Sequence, residues 1–290
     1  MMSSELPISV VIASLGTDVV RNSLDAILNG TGVPEEIILS IPHDAIVADE
    51  ITAKTDRLKI VRSAKRGQVA QRSLGLRAAK ATHVMQMDDD VELSASGLQE
   101  LWDKYQTCSV RCAIAPVFCD SENGGLLTTY SSGFTAMLKD AATTCIYGAS
   151  LGKNRMGKVS ASGVAFAIDP QDLMGEGLIE VEWVPGGCVL CHRSDAITDD
   201  YYPFDGKAYS EDVLHSFLWR QKGVRLFIAP HIRFRTKIED LKISRASITA
   251  EFRARRYIRQ LQGRNTFFCY VACMAWFLRY WAGSKGKRPS

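Results

Sequence analysis

Three consecutive carboxylates, Asp88-Asp89-Asp90, follow the apolar run His83 to Met87 (HVMQM). Like charges within a few ångströms raise each other's pKa unless something positive is bound among them. A divalent cation is the usual remedy. Oxygen-only ligands suit Mg2+ or Mn2+, which takes one or two carboxylates and completes its shell with substrate phosphates. Alternation along a strand puts Asp88 and Asp90 on one side, facing one ion or one ligand, with Asp89 turned away. The plain alternative is a solvated acidic turn where a chain leaves a sheet. A second acidic pair, Glu211-Asp212, opens a helical stretch, where the macrodipole favours carboxylates with or without a function. Cys188-Val189-Leu190-Cys191-His192 has the spacing of covalent haem attachment, but cysteines at i and i+3 of an apolar strand point to opposite faces. Cys108, Cys112 and Cys119 lack a fourth zinc ligand at suitable spacing, and His43, His83 and His215 read as ordinary surface or packed histidines.

The elements that must position these groups alternate between strand and helix. Ile8 to Ala13 (ISVVIA) is a β-branched run ended by Ser14-Leu15-Gly16, and Val19 to Leu28 follows with helical apolar spacing. Glu36 to Ile41 stops at Pro42, and Leu58 to Val61 leads through Arg66-Gly67-Gln68 into a helix over Val69 to Ala79. Such βα units in series predict an α/β fold with a mostly parallel sheet and helices on both faces. Ligands in open α/β sheets sit outside the carboxyl ends of strands, and the acidic triplet falls there. The stretch from Ser109 to about Trp183 is irregular. A Gly-Gly turn then opens into an apolar strand within Trp183 to Arg193, followed by a helix from Val213 to Lys222 and a strand from Val224 to Ala229.

The order of these pieces resembles the GT-A glycosyltransferases of family 2. Ser14, Arg66-Gly67-Gln68-x-Ala70-Gln71-Arg72, and Asp88-Asp89-Asp90 match the nucleotide-sugar half. Trp183-Val184-Pro185-Gly186-Gly187, Phe204-Asp205-Gly206, Ser210-Glu211-Asp212-Val213, Arg220-x-x-Gly223 and Pro230 match the second half. The likeness covers roughly residues 8 to 232 and implies an inverting, metal-dependent, hexosyltransferase-like enzyme with a nucleoside-diphosphate sugar as donor. By analogy with the family's DxD motif, Asp88 and Asp90 hold Mg2+ or Mn2+ and the diphosphate, with Asp89 near the ribose or sugar. Arg72 matches an arginine near the nucleotide, where a guanidinium can pair with phosphate. Ser14 falls at the first-strand position that touches the nucleotide. Gly186 and Gly187 imply close backbone approach to donor sugar or acceptor. Trp183 and Glu211 are carried over as acceptor contacts. An acceptor hydroxyl must lose its proton as it attacks, and Asp212 of the matching ED pair is the implied general base. Two positions depart from the pattern. His231 follows Pro230 immediately, a few residues from the family's metal-site histidine, and Asp44 is the displaced counterpart of its base-contacting acid.

At 290 residues, 46% hydrophobic and 23% charged, the chain is neither collagen-like nor low-complexity and is long enough for a large core without disulfides. Met1 to Leu6 carries Glu5 and no basic residue before its apolar run, so cytoplasmic residence with eight free thiols is expected rather than export. Residues 1–232 hold 21 Lys and Arg against 29 Asp and Glu, a net of −8, whereas residues 233–290 hold 14 against 3, a net of +11. Two regions are therefore expected: a catalytic domain over 1–232 and a basic, aromatic helical extension over 233–290. Within the extension, Ile248 to Arg264 reads as an arginine-rich helix and Thr266 to Ala282 as seventeen mostly apolar residues, shorter than the roughly 20 a membrane span needs. Such a helix suits an anionic membrane surface at the inner face of the plasma membrane. The alternative is packing on the catalytic domain or in a homodimer, and nucleic acid is not an expected partner. The acceptor is expected to be a saccharide or lipid-linked saccharide in surface glycan synthesis. The competing readings are a sugar-phosphate nucleotidyltransferase, disfavoured by the absence of a Gly-rich phosphate loop after the first strand, and an inactive sugar-nucleotide-binding module.

Overall fold

In the computed structural model, residues 4–127, 134–170, 177–237 and 244–285 are described. The chain runs β1 (Ser4–Ala13), α1 (Val20–Leu28), β2 (Gly32–Pro42), α2 (Asp49–Thr52), β3 (Leu58–Ser63), α3 (Gln68–Ala78), β4 (His83–Asp88) and α4 (Gly97–Gln106). It continues through β5 (Cys112–Asp120), α5 (Phe134–Tyr147), β6 (Ile179–Val181), β7 (Cys188–His192), α6 (Glu211–Gln221), β8 (Arg225–Thr236), α7 (Arg245–Leu261) and α8 (Phe267–Lys285). Two compact units result. One comprises Met1–Leu127, Pro170–Ala208 and His215–Ile238; the other comprises Thr128–Asp169, Tyr209–Leu214 and Glu239–Ser290.

The first unit holds all eight strands in one mixed sheet of order β3-β2-β1-β4-β7-β5-β8-β6. The expected βα series pairs in parallel, β3 on β2, β2 on β1 and β1 on β4. β7 then inserts antiparallel between β4 and β5, β8 lies parallel to β5, and β6 closes the edge antiparallel. Strand alternation sorts β1 between two layers. Ile8, Val10 and Ile12 share a buried cluster with Val20, Leu24 and Ile27 of α1 and Leu98 and Leu101 of α4. Val11 faces α3 on the other side, where a Cβ on Gly75 would stand 2.5 Å from Val11 Cγ1. Only glycine admits that approach. β8 continues past Pro230 because the ladder skips it: register moves from Pro116↔Ala229 to Val117↔Arg233, so Pro230, His231 and Ile232 form a bulge and no amide donor is missed. His231 is exposed there.

The second unit is helical. Its α7 opens on a reciprocal cap, with Ser244 Oγ accepting from the Ser247 amide at 3.0 Å and Ser247 Oγ accepting from the Ser244 amide at 2.9 Å. The Trp276 indole of α8 donates to the Tyr147 hydroxyl of α5 at 2.8 Å. Among the described residues no helix is long and apolar enough to cross a membrane.

A buried carboxylate ties the sheet to the end of α3. Glu36 of β2 accepts from the Ser9 hydroxyl and the Lys59 ammonium, both at 2.6 Å, and from the Lys80 amide. Burial alone works to raise its pKa, but Lys59, Ser9 and the Lys80 amide outweigh it and hold the carboxyl at about 2, against an ordinary value of 4.5. A depressed carboxylate stabilises the fold above its unfolded pKa and loses that contribution as the pH falls toward the folded one. We therefore expect Glu36→Gln to lower the urea unfolding free energy by about 2 kcal/mol at neutral pH. The gap between variant and parent should close as the pH falls from about 4.5 to about 2; a gap constant over that range would contradict the assignment.

Candidate active site

The acidic triplet lies where strand order reverses. From β1 the chain adds β2 and β3 toward one edge and then returns to place β4 on the other side of β1, so the two strands end side by side with Ala13 paired to Asp88. Divergent connections at such a point leave a crevice at the strands' carboxyl ends. Asp88 is the last residue of β4, and Asp89-Asp90 form a turn beyond it. Strand alternation therefore stops at Asp88, and side-chain and backbone contacts set the directions of its two neighbours.

Each carboxylate has its own surroundings. Asp88 Oδ1 accepts from Arg72 Nη2 at 3.0 Å and from Gln68 Nε2 at 2.8 Å. The donors stand one turn apart on α3 and so reach the same oxygen. The Arg72 side chain is 2% exposed. Asp89 is pushed up by burial, then by the charge of Asp90, with the Ser14 hydroxyl opposing both. Asp90 Oδ2 accepts from the Thr236 hydroxyl of β8 at 3.0 Å. The Ser23 hydroxyl of α1 lies 2.8 and 2.7 Å from the carbonyl oxygens of Asp89 and Val91, which fixes the turn from behind.

Ser14 sits at the end of β1, with its hydroxyl accepting from the Gly16 amide at 3.0 Å and its carbonyl accepting from Gln71 Nε2 at 2.6 Å. The antiparallel insertion of β7 brings the Gly-Gly turn to the same strand end. The Asp88 amide donates to the Gly187 carbonyl at 2.9 Å, and Gln86 Nε2 donates to the Gly186 carbonyl at 3.2 Å. A Cβ on Gly187 would stand 3.3 Å from Phe118 Cζ and 3.4 Å from Asp88 Oδ2. Trp183 is half-buried in the preceding loop, whose Val184 amide donates to Ser216 Oγ at 3.1 Å. The structure thus gathers Ser14, Arg72, Asp88, Asp89, Asp90, Gly186 and Gly187 within the first unit. Glu211 and Asp212 form the first turn of α6 in the second unit, the former buried and the latter half-buried. Asp44 pairs with Arg66 at 2.8 Å on the surface, which holds its carboxyl below the ordinary range.

Several residues that act here were quoted in the sequence pattern or passed over without a role. Gln68 and Gln71 both precede Arg72 in the helix, three residues apart, and that spacing is the signal that could have placed them on one strand end. Thr236 and Ser23 have no such signal, because each arrives from a distant element. Cys188 and Cys191 are buried in β7, where burial pushes both thiols up, so neither is presented for haem.

This is a GT-A domain, with its acidic turn at the strand-order reversal of a mixed sheet. The chain belongs to glycosyl transferase family 2, whose family model matches residues 9–161, just over half its length. A crystal structure of GalNAc-T7 with UDP, GalNAc and Mn2+ superposes at a TM-score of 0.56, with 15% identity over 87% of this chain and 48% of that one. S. aureus TarS 1–349 superposes at 0.56, with 11% identity over 94% of this chain and 71% of TarS 1–349. The same TarS fragment in complex with UDP-GlcNAc gives 0.52, at 11% identity over 88% and 66%. At such identities the likeness is one of fold, and the chain spans about half the length of GalNAc-T7. No curated protein sequence matches it significantly.

Because Asp88 stands beside a buried guanidinium, its loss should cost more than that of its neighbour. We expect Asp88→Ala to lower the unfolding free energy by about 2–3 kcal/mol and Asp90→Ala, whose neutral partner is a hydroxyl, by under about 1 kcal/mol. Urea unfolding of the two variants checks this, and equal losses would refute it.

Proposed function

We propose that this chain is an inverting glycosyltransferase that moves a hexosyl group from a nucleoside-diphosphate sugar to the hydroxyl of a saccharide or lipid-linked acceptor in surface glycan synthesis. The observation that carries the reading is the acidic turn Asp88 to Asp90 at the paired ends of β1 and β4, in a family 2 chain. UDP with Mn2+ on GalNAc-T7 and UDP-GlcNAc on TarS support a nucleotide-sugar donor.

The donor set fits Mg2+ or Mn2+ completed by phosphate oxygens. Asp88 and Asp90 supply two carboxylates, and among the described residues no group of three or more His, Cys, Asp or Glu forms an all-protein cage. A bound cation would act as a Lewis acid on the departing diphosphate. Ser14, Arg72, Asp89, Gly186 and Gly187 are assigned to the donor, and Trp183 and Glu211 to the acceptor. Asp212 is assigned the general base from the order of motifs along the chain. It takes the acceptor hydroxyl's proton as that oxygen bonds to the anomeric carbon. The bond from that carbon to the diphosphate oxygen breaks on the opposite face, its electron pair leaves with the diphosphate, and the configuration inverts.

In this reading residues 1–232 are the catalytic region and residues 233–290 an attachment segment. On α8, Phe267, Tyr270, Met274, Leu278 and Trp281 are exposed at helical spacing. With the net +11 of the segment, that stripe supports attachment to an anionic membrane surface at the inner face of the plasma membrane.

The test is a thermal-shift titration with UDP, GDP, TDP and CMP, with and without Mn2+. One nucleotide should raise the melting temperature when Mn2+ is present, by the equivalent of about 2.7 kcal/mol at a hundredfold excess over Kd, and should fail to do so in the Asp88→Ala/Asp90→Ala variant. No shift with any nucleotide, in folded protein, overturns the donor site. Asp212→Asn should bind the same nucleotide and lose about 10²- to 10⁴-fold in turnover. Near-parental turnover would remove it as the base, and formation of a sugar nucleotide from an NTP and a sugar phosphate would make the chain a nucleotidyltransferase.

A further inference from the structure

We propose that Glu251 of α7 is a positioning residue for the carboxylates that open α6, acting through the strained residue Ser210; this rests on the reading of Asp212 as general base. Ser210 has φ +52°, the only positive value at a non-glycine position among the described residues. The left-handed conformation costs a residue with a Cβ about 1–2 kcal/mol, and such strain persists only where the surroundings impose it. Ser210 immediately precedes Glu211 and Asp212, and the Leu214 amide donates to its carbonyl at 3.3 Å, so its backbone sets the direction in which the first turn of α6 is presented.

The imposing contact comes from α7. The Ser210 hydroxyl donates to Glu251 Oε1 at 2.5 Å, a bond that a carboxylate acceptor makes short and strong. Glu251 is itself held. Arg255, one turn along, donates to the same oxygen at 2.7 Å, and both side chains are 12% exposed. The Arg255 guanidinium stands 4.6 Å from the centroid of the Trp276 ring of α8. Across from it, a Cβ on Gly163 would lie 3.1 Å from Arg255 Cβ, so the Ser160–Gly163 turn closes the other side. An exposed i,i+4 ion pair contributes only about 0.3–0.5 kcal/mol and needs no such enclosure. The enclosure makes sense as a way to fix one oxygen on one hydroxyl. All of these residues belong to the second unit.

The test measures nucleotide release by the full chain from UDP-, GDP- and TDP-hexoses and a CMP-linked sugar, followed with the donor that turns over. Glu251→Ala and Ser210→Ala should each lower kcat about tenfold with the donor KM within twofold, and the double variant should be no slower than either single one. Glu251→Gln keeps an acceptor oxygen and should recover to within about threefold of the parent. Ser210→Gly removes the strain as well as the hydroxyl, so its melting temperature should hold or rise while kcat falls with that of Ser210→Ala. Parental kcat in Ser210→Gly, or additive losses in the double variant, overturns the positioning role. Parental kcat in Asp212→Asn overturns the base reading and this inference together. An inactive Asp212→Asn beside a fully active Glu251→Ala overturns this inference alone. No release by the parent chain from any donor overturns the function and this inference with it.

Discussion

A run of three carboxylates at the end of a buried strand must be held against its own repulsion, and Arg72, carried inside the fold on α3, places a cation 3.0 Å from the first of them. An arginine 2% exposed is tolerable only with an anion beside it, and Asp88 is tolerable at a strand end beside that arginine. Each justifies the other, so the position of α3 against the sheet becomes an electrostatic requirement as well as a packing one. Gly75 on the same helix meets the packing side of it, because the missing Cβ lets the helix come down onto Val11. Glu36 fastens the helix's far end through the Lys80 amide. The acidic turn is therefore supported by three anchors along a single helix.

The half-buried state of the turn follows from the topology. Reversal of strand order at β1 and β4 separates the connections that would otherwise cover their ends. β7 then enters antiparallel, which directs the Gly186-Gly187 carbonyls onto β4 and adds backbone groups without side-chain bulk. A parallel strand in that place would bring its Gly-Gly turn to the opposite end of the sheet.

The periodic part of this architecture was legible in the sequence. β1 to β4 with α1 and α3 follow from apolar runs alternating with helical spacing, and the acidic triplet from its place after such a run, whereas the short α2 and the amphipathic α4 were not read. The order of β5 to β8 was not, because an apolar run such as Cys188 to Cys191 is equally consistent with parallel and antiparallel pairing. β8 was expected to end at Ala229, since proline cannot donate to a ladder; the bulge lets it continue to Thr236, which is how a hydroxyl reaches Asp90. The burial of Arg72 was not legible, because local sequence does not reveal which partner encloses a side chain. Its Asp88 partner lies sixteen residues away on another element. The positive φ of Ser210 was hidden for a related reason, since the partner of its hydroxyl, Glu251, lies forty-one residues further on.

The same distinction changes what the basic C-terminal segment means. Counting charges gives a net of +11 from Arg233 onward and treats every arginine as available to a surface. In the helices two of them are not: Arg255 lies between Gly163 and the Trp276 ring, and Arg259 is 5% exposed with its guanidinium donating to Gln262 at 3.0 Å. These charges order the second unit internally, and the aromatic residues of α8 divide in the same way, with Trp276 turned in to Arg255 and Tyr147 while Phe267 and Trp281 are exposed. The inner face of α8 thus ties down α7, while an apolar stripe of its outer face is exposed. The contacts of the inner face run from Trp276 to Arg255 and from Arg255 to Glu251, which accepts from the residue that leads into α6.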